Sequence, residues 1–373
     1  MSKKINISII GTRGYPYVYS GYETFVKQLS ERLVLKDCNV TVYCHKGLFN
    51  KRPKELKGIE LVYLPTIETK ILSQPIHSFL SIIHACFSNT DVVLVVNSAN
   101  GPFGLLTKLF RTPTAINVDG LEWLRPKWKG LGSIYFKWAS KMATLFYDQI
   151  INDSDEMRKV YLNLFKRDSK VIAYGADIRE SESPQLINKY NLKHRDYFLV
   201  IGRLIPDNNA DLIIKGFLKS NSNKKLVIIG DVPYEDSYAS NLKKIKDKRL
   251  ILTGYVKDQN LLAELYLNCY VYVHGHEFGG TNPTMIKAMA YGSAILALDT
   301  VFNQEMLQKG KFGLFFKKEL ISVTNQIDYC EKEKSLIDKL RQESVNGITN
   351  KYNWDFITSQ YLEVFKSLIS QRN

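Results

Sequence analysis

Residues 271–289, VYVHGHEFGGTNPTMIKAM, combine the features of a strand, a turn and a helix in sequence order. A β-branched run ends at residue 273, and a glycine-rich turn with Gly279 and Gly280 follows it. Asn282 then stands at the cap position of a helix whose first residue is Pro283, a position that tolerates proline because its amide has no helical partner. The stretch therefore predicts a phosphate-sized anion site at a helix N-terminus beyond a strand.

The same alternation of short β-branched runs with longer amphipathic stretches extends along the chain, and it is typical of parallel sheets covered by helices. In the first half, strands are predicted at 5–10, 40–44, 59–64, 92–96, 115–118, 149–152 and 170–174. After a polar stretch, strands are predicted at 197–201, 225–229, 250–253, 271–273 and 294–297. The pattern predicts an α/β protein with two doubly wound sheets joined near residue 185, followed by an amphipathic helix that starts at 354.

The composition is that of a folded, enzyme-sized protein, with 373 residues of which 45% are hydrophobic and 24% charged. Five cysteines are spread along the chain without a C-x-x-C pair, which indicates reduced, mostly buried thiols. The longest apolar stretches, such as 76–87, are shorter than the roughly 20 residues that a membrane span needs. We therefore expect a cytoplasmic protein without a membrane-spanning helix.

A formal net charge of +14 points to a polyanionic partner: nucleic acid, an anionic membrane surface or a phosphorylated substrate. No nucleic-acid-binding motif is present in the sequence, so that partner is not expected. Residues 125–141, RPKWKGLGSIYFKWASK, interleave basic and aromatic side chains as a membrane interface would require. The alternative is an ordinary helix that buries its aromatic rings, and the sequence leaves both open.

The first predicted strand ends in a second glycine-rich turn, which carries Gly11, Arg13, Gly14 and Gly21 before Glu23. Ligands of open α/β sheets bind beyond the carboxyl ends of strands, so this loop is expected to border a site. The glycines do not follow G-x-G-x-x-G, and the second strand ends in Cys-His where a ribose-binding acid would stand, which disfavours a nicotinamide dehydrogenase. Glu23 also fits a capping box, S-x-x-E, with the serine three residues before it.

Two further strand ends carry groups that suit sugar or phosphate chemistry. Asp119 and Glu122 follow the fifth strand beside a glycine and a tryptophan, where they could position a sugar hydroxyl or act as acid and base, or simply cap a turn. Arg203 closes the first strand of the second half, facing a predicted helix start, an arrangement that suits a diphosphate. Metal binding by His274, His276 and Glu277 is disfavoured because their spacing lacks the i, i+4 geometry of a zinc pair.

Taken in order, these motifs resemble the rhamnosyltransferase-type branch of the family 4 glycosyltransferases. The resemblance is carried by GTRGYP and GYETF near the N-terminus, NVDGLEWLRPKW, YGAD, IGRLIPDNN and HGHEFGGTNPTMIKAM, and it covers nearly the whole chain. It implies a GT-B fold, in which two Rossmann-like doubly wound domains face a cleft. The acceptor-side domain would be 1–185, with the helix at 354–373 crossing back to it, and the donor-binding domain would be 186–353.

The resemblance and the motifs together define the expected site. The donor is expected beside Arg203, Asn208, Gly254, Tyr255, Val256, Gly279, Gly280, Thr281, Asn282 and Lys287. The acceptor and phosphate loop is expected to comprise Gly11, Arg13, Gly14 and Gly21, with Asp119 and Glu23 as the candidate catalytic carboxylates.

The resemblance implies retaining, metal-independent transfer without a cofactor. It implies that L-rhamnose moves from dTDP-rhamnose to a lipid-linked oligosaccharide in surface polysaccharide synthesis. Together with the basic and aromatic residues at 125–141, this leads us to expect a protein held peripherally at the inner face of the cell membrane. Family members place a glutamate where this chain has Lys287 and a partner glutamate where it has Gly279, and they commonly place a lysine at Asn208-Asn209. Because of Lys287, a second hypothesis remains open, in which the chain is a non-catalytic subunit that binds a nucleotide sugar. A GT-B-like sugar-nucleotide epimerase is a third hypothesis.

Overall fold

The computed structural model describes residues 4–17, 21–69, 72–125, 130–232, 235–349 and 351–372. The chain divides into two compact units. One unit contains Met1–Tyr174 together with Trp354–Asn373, and the other contains Gly175–Asn353. The boundary thus follows Tyr174 and not residue 185, and the final helical segment belongs to the first unit.

The first unit is built on a sheet of eight strands with the order β3-β4-β2-β1-β5-β6-β7-β8, in which only β3 runs antiparallel to its neighbour. The strands are β1 Asn6–Ile10, β2 Asn39–His45, β3 Glu55–Leu56, β4 Ile59–Leu64, β5 Val92–Val96, β6 Thr114–Val118, β7 Gln149–Asn152 and β8 Lys170–Val171. The helices are α1 Gly21–Leu35, α2 Ser73–Cys86, α3 Gly104–Leu109, α4 Leu131–Phe146 and α5 Asp155–Phe165. All five residues of β5 are buried, as expected for a parallel strand that is covered on both faces.

The second unit contains a six-stranded parallel sheet with the order β11-β10-β9-β12-β13-β14. Its strands are β9 Tyr197–Ile201, β10 Lys225–Ile229, β11 Leu250–Gly254, β12 Val271–His274, β13 Ala294–Leu298 and β14 Leu314–Phe316. Its helices are α6 Ala210–Lys219, α7 Ser237–Lys243, α8 Gln259–Leu267, α9 Pro283–Ala290, α10 Val301–Met306, α11 Leu320–Lys332 and α12 Lys334–Thr349. The ring of Phe198 packs edge-to-face on Phe217 and Tyr270 at 5.8 and 5.7 Å between centroids, in the core between sheet and helices.

The last helix, α13 Trp354–Ser370, completes the core of the first unit. Its Tyr361 is fully buried, with the ring centroid 5.4 Å from that of Phe25 on α1. The Tyr361 hydroxyl accepts a hydrogen bond of 2.7 Å from the side-chain amide of Asn117 on β6. Short 3-10 turns occur at Lys46–Leu48, Ser98–Phe103, Glu122–Leu124, Pro184–Tyr190, Pro206–Asn208 and Gln308–Gly310.

Eleven of the twelve predicted strands match within a residue at each end, whereas the strand predicted at 170–174 contains only Lys170–Val171. Strands β3 and β14 were not predicted. In each sheet the strand order reverses beside the first strand, between β1 and β5 in the first unit and between β9 and β12 in the second. Ligands of doubly wound sheets bind at the carboxyl edge near such a reversal, which is where the predicted loops lie.

Candidate functional site

The glycine loop after β1 is packed closely against the neighbouring strands. Gly11 has φ +106°, and a Cβ there would lie 2.3 Å from the Val96 carbonyl oxygen at the end of β5. Gly14 has φ +120°, and its Cβ would lie 2.7 Å from the Cys44 sulfur on β2. Both glycines are therefore required by close packing on the sheet, and their place in an acceptor and phosphate loop stays a prediction. Gly21 is the first residue of α1 and is exposed.

Glu23 is a buried carboxylate in the first turn of α1. Its Oε1 accepts a long hydrogen bond, 3.4 Å, from the Arg13 backbone amide and lies 4.0 Å from the Arg13 guanidinium. This arrangement ties α1 to the glycine loop. The capping serine that the sequence analysis paired with Glu23 lies outside the described residues.

Asp119 follows β6 and is held between two tyrosines. The hydroxyls of Tyr22, on α1, and Tyr174, at the end of the first unit, each donate a hydrogen bond to its carboxylate, one to each oxygen. Burial raises the pKa of Asp119 to about 6, and the hydrogen bond from Tyr174 opposes that rise. Asp119 is therefore ionised at neutral pH and can accept a further hydrogen bond or a proton.

The turn that carries Asp119 is stabilised by its own ion pair. The guanidinium of Arg125 lies 3.2 Å from Glu122, three residues before it. Glu122, the second carboxylate of the predicted pair, is thus engaged by an arginine, while Asp119 is engaged by hydroxyls. The two carboxylates differ in environment, so they are not equivalent as candidates for acid-base chemistry.

The sequence analysis did not find the polar groups that surround Asp119. No local pattern links Tyr22 with Tyr174, because they are distant in sequence and meet only through the fold. The side-chain oxygens of Asn100 and Asn117 are also buried at the ends of β5 and β6, and neither accepts a hydrogen bond from any residue that the structure describes. Polar atoms thus concentrate at the carboxyl edge of the first sheet.

In the second unit, the loop after β9 carries Arg203, whose side chain is exposed. Across the described ranges, this guanidinium forms no hydrogen bond or ion pair within the protein. Its backbone carbonyl accepts a 2.8 Å hydrogen bond from the side-chain amide of Asn208. Asn208, predicted to bind the donor, is itself buried and uses its amide to shape the loop that presents Arg203.

This loop is also joined to the loop after β12. The side-chain amide of Asn209 donates to the Gly275 carbonyl at 2.9 Å, and the Glu277 amide donates to the Asp207 carbonyl at 3.1 Å. Gly275 is required here because a Cβ would lie 2.3 Å from the Asn208 carbonyl oxygen. Asn209 therefore holds together two loops at the reversal of the second sheet, while Asn208 shapes the first of them.

Helix α9 begins as the sequence predicts. The Asn282 side chain accepts from the Thr284 amide at 3.0 Å, and Pro283 is the first helical residue. Gly279 has φ +113°, and Gly280 and Thr281 are buried just before the cap. Helix amides and the helix dipole at such a terminus favour an anion.

Behind this helix start lies a buried chain of hydroxyl and imidazole groups. The Tyr272 hydroxyl donates to the Thr284 hydroxyl at 3.0 Å, and that hydroxyl lies 2.8 Å from the Asn282 side-chain oxygen. The imidazole of His274 lies 3.2 Å from the same tyrosine hydroxyl. Burial holds the pKa of His274 well below its ordinary value, so the ring is neutral at physiological pH. This row of hydrogen-bonded side chains fixes the cap of α9 from the core side.

The other predicted donor residues lie around these loops. Lys287 is half-buried on α9, four residues after Pro283 and therefore about one turn along the same face. Gly254 ends β11 with φ +69° and open space where a Cβ would point. Tyr255 beside it is exposed and Val256 is buried. Glu277, which the sequence analysis considered as a metal ligand with His274 and His276, forms a 2.6 Å ion pair with Lys318.

Within the described ranges, no group of three or more histidine, cysteine, aspartate or glutamate side chains has the geometry of a metal site. Among the helices of the described residues, none has both the length and the apolarity to cross a bilayer.

Comparison with known proteins gives a family for each half of the chain. Residues 4–177 match a domain of unknown function (DUF1972), and residues 182–346 match the family Glycosyl transferases group 1. The second unit thus contains the residues that match the model of the family Glycosyl transferases group 1.

Among curated proteins, the chain is similar to N-acetylgalactosamine-N,N'-diacetylbacillosaminyl-diphospho-undecaprenol 4-alpha-N-acetylgalactosaminyltransferase of Campylobacter jejuni. The two are 24% identical over 179 residues, which is 47% of each protein. The chain spans less than two thirds of the length of the curated relatives that it matches.

Among solved structures, the sucrose-phosphate synthase of Thermosynechococcus elongatus aligns with 99% of this chain and 100% of its own, at a TM-score of 0.83 and 16% identity. The Anabaena protein HepE in complex with UDP aligns with 98% of this chain and 100% of its own, at a TM-score of 0.76 and 16% identity. At these identities the likeness concerns the fold, and it confirms the predicted GT-B class with two parallel-sheet domains.

Proposed function

We propose that the chain is a group 1 glycosyltransferase that moves a hexose from a nucleotide diphosphate sugar, bound by the second unit, to a glycan acceptor. One observation carries the proposal: the capped, glycine-preceded start of α9 lies beyond β12, and the loop that presents the exposed Arg203 is tied to the same strand end. A helix N-terminus beside a guanidinium suits a diphosphate, because both favour anionic oxygens.

We further propose that the donor is dTDP-L-rhamnose, transferred with retention and without a metal ion. This choice rests on the resemblance of the motifs at residues 9–25 and 274–289 to the rhamnosyltransferase-type branch. HepE was solved with UDP, which supports a nucleoside diphosphate as the donor's leaving group and makes UDP-sugars the main competitors. In the proposed reaction, the acceptor oxygen bonds to the anomeric carbon as the bond to the diphosphate breaks, and the acceptor proton moves to a diphosphate oxygen.

Asp119 is the group that we propose to orient the acceptor. It is ionised at neutral pH, and two tyrosine hydroxyls fix its position, so a sugar hydroxyl can donate to it in a defined direction. Glu23, the other candidate catalytic carboxylate, is engaged with the Arg13 loop, and this contact favours a role in holding that loop.

The acceptor that we propose is a lipid-linked oligosaccharide of surface polysaccharide synthesis. The name of the Campylobacter transferase specifies an acceptor linked through diphosphate to undecaprenol, which supports an acceptor of this class. A lipid-linked acceptor remains in a bilayer, so the protein would work as a peripheral protein at the inner face of the cell membrane.

Donor binding is the direct test of the proposal. The purified protein is titrated with dTDP-rhamnose, UDP-glucose, GDP-mannose and the matching nucleoside diphosphates, and thermal stability is recorded, because a ligand of the folded state raises it. We expect the largest shift with a thymidine nucleotide. Arg203→Ala should weaken nucleotide diphosphate binding by about 1.5–3 kcal/mol, as loss of a charged hydrogen bond does, without lowering the stability of the free protein.

Lys219→Ala is the matched control for Arg203→Ala. It removes an exposed cation at the far end of α6, the helix that begins just after the Arg203 loop, and it should leave nucleotide affinity unchanged. Equal affinity for nucleotide in the parent and in Arg203→Ala would remove Arg203 from the donor site. Absence of a shift with every nucleotide sugar would contradict the proposed function.

A second candidate function is favoured by Lys287, which stands where relatives carry a glutamate. In this case the chain is a nucleotide-sugar-binding subunit, and it would bind donor but transfer no sugar to lipid-linked acceptors. An epimerase, the third hypothesis, would convert the donor without any acceptor. Turnover measured with and without acceptor therefore separates the three.

A further inference from the structure

Helix α4 carries a second apolar face in addition to the one that packs on the first unit. Its buried face includes Phe136, Ala139 and Ala143. On the opposite side, Leu131 is 85% exposed, and Ile134, Trp138 and Leu145 are exposed as well. At 3.6 residues per turn, these four side chains lie within roughly one sixth of the helix circumference. An ordinary amphipathic helix would carry polar residues there.

The exposed apolar face continues onto α3, the helix before α4. Leu105 and Leu109 of α3 are exposed, Leu109 by 74%, and the Lys108 ammonium donates to the Leu145 carbonyl at 3.3 Å, so α3 lies against the end of α4. Phe110, just after α3, packs against Phe87, just after α2, at 4.9 Å between ring centroids. We call the exposed apolar side chains of α3 and α4 the apolar face: Leu105, Leu109, Leu131, Ile134, Trp138 and Leu145.

The charged side chains that belong to helices α2, α3 and α4 all have the same sign. Helices α2, α3 and α4 contain no aspartate or glutamate, although the whole chain has 37 such residues in 373. The charged residues of these helices are Lys108, Lys137 and Lys141, and the two on α4 are exposed along one border of the apolar face. The next helix along the chain, α5, begins with two acidic residues, so the lack of acidic residues is confined to this side of the unit.

These features together match an anionic lipid surface. Apolar side chains and a tryptophan can enter the headgroup region, where burial removes them from water, while flanking lysines meet lipid phosphates. A protein partner would need complementary acidic and apolar residues on its own surface, whereas an anionic bilayer offers both along the whole apolar face.

We propose that the apolar face, with Lys137 and Lys141, docks the protein on an anionic bilayer. The choice of a lipid surface as occupant rests on the proposed function, since a lipid-linked acceptor lies there. At residues 125–141 the sequence left open a membrane contact and an ordinary helix that buries its aromatic rings. The docking surface extends over α3 and α4, with Phe136 buried and the Tyr135 hydroxyl donating to the Ala99 carbonyl at 3.0 Å. Residues 126–129 lie outside the described residues.

The test is sedimentation of the full-length protein with vesicles of phosphatidylcholine alone or with about a third phosphatidylglycerol. We expect binding to the anionic vesicles at low ionic strength and release by salt, which shortens the screening length to about 10 Å at 0.1 M. Lys137→Glu with Lys141→Glu should weaken binding about thirtyfold or more, since each lysine near such a surface contributes about fivefold. Ile134→Ser with Trp138→Ser should weaken it at least about tenfold.

Matched controls are available on other faces of the same unit. Lys36→Glu with Lys366→Glu changes the net charge equally at exposed positions beside α1 and on α13, and Leu35→Ser with Leu164→Ser removes two other exposed leucines. Both controls should bind vesicles as the parent does. Equal losses in the control and test variants would overturn the proposal, because attraction would then depend on net charge or on general hydrophobicity.

The outcomes distinguish this inference from the proposed function. Donor-induced thermal shifts are recorded for the same preparations. Vesicle binding that requires the apolar face, in a protein that binds no nucleotide sugar, would refute the transferase and retain the docking surface. Nucleotide binding without vesicle binding would refute the docking surface alone. A third outcome is that the parent binds no vesicles but self-associates, and that Ile134→Ser with Trp138→Ser abolishes this association. That result would assign the apolar face to a second copy of the chain and overturn the proposal.

Discussion

Replacement of Asp119 by asparagine tests whether the fold holds this carboxylate at an energetic cost. Burial raises the pKa of Asp119 from 3.8 to about 6, so the folded protein binds more protons than the unfolded chain between these two values. The contribution of Asp119 to stability therefore falls as pH rises through this window, and the loss is complete above about pH 6. Two pKa units at about 1.4 kcal/mol each give a cost of about 3 kcal/mol at neutral pH.

Asp119→Asn removes the charge and keeps a planar group between Tyr22 and Tyr174, whose hydroxyls can also accept hydrogen bonds. Relative to the parent, the variant should gain up to about 3 kcal/mol in unfolding free energy between pH 4 and pH 7. Urea unfolding followed by fluorescence across this range measures the difference. If Asp119 orients the acceptor, the variant should also lose transfer while it retains donor binding.

Asp168→Asn is a control of opposite sign in the same unit. The hydrogen bond from Arg158 lowers the pKa of Asp168 to about 2, so its contribution is present above the ordinary pKa of 3.8 and is lost as pH falls. This variant should therefore be slightly less stable than the parent at neutral pH. A stability difference between Asp119→Asn and the parent that does not change from pH 4 to pH 7 would refute the assignment of a raised pKa.

Three further predictions concern the second unit. Lys287→Met should lower affinity for nucleotide diphosphates and reduce its dependence on salt if the lysine attracts phosphate, and a titration that overlays the parent would show that it does not. Glu264→Gln should lower the free energy of unfolding by about 1–3 kcal/mol. The Glu264 carboxylate accepts hydrogen bonds from the Ser181 hydroxyl, from the backbone amides of Glu182 and Ser183 and from the Asn268 side chain. These hydrogen bonds outweigh the effect of burial and lower the pKa of Glu264. The Glu264 contribution should be present above the ordinary pKa of 4.5 and lost as pH falls below it, which urea unfolding at two pH values would check. Gly230→Ala should lower the free energy of unfolding by more than about 2 kcal/mol, because the new Cβ would lie 1.9 Å from the Gly202 carbonyl oxygen and the residue has φ +134°. Gly254→Ala, which has open space around it, should lower it by only about 1 kcal/mol. Thermal or urea unfolding measures both variants.

The sheets could be predicted from sequence because their strands are uniformly apolar and β-branched. Val92–Val96 and Tyr197–Ile201 are buried along their whole length, and such runs stand out from the amphipathic helices around them. Short edge strands lack this signal. Leu314–Phe316 has only three residues, and Glu55–Leu56 has two with no buried member, so neither was predicted.

The candidate site could be predicted only where its chemistry is local. The cap of α9, with Asn282 and Pro283, is a short-range pattern and was found. The roles of Asn208 and Asn209 depend on loops that meet across two strands, and no local spacing reveals them. Tyr174 was assigned to a strand, whereas its hydroxyl is bound to Asp119, because that contact forms only after the first sheet is assembled.

The path of the chain through the first unit has a consequence for synthesis. Tyr361 fills the core beside Phe25 and bonds to Asn117, yet the ribosome adds it only after the whole second unit. The apolar surface that α13 covers in the folded unit therefore stays exposed on the N-terminal segment while Gly175–Asn353 is translated. At 5–20 residues per second this takes about 10–40 s. The second unit, whose ends are paired through Ala176 and Asn353, can fold first. A chain that lacks α13 should accordingly be captured by chaperones or aggregate, while its second unit remains folded.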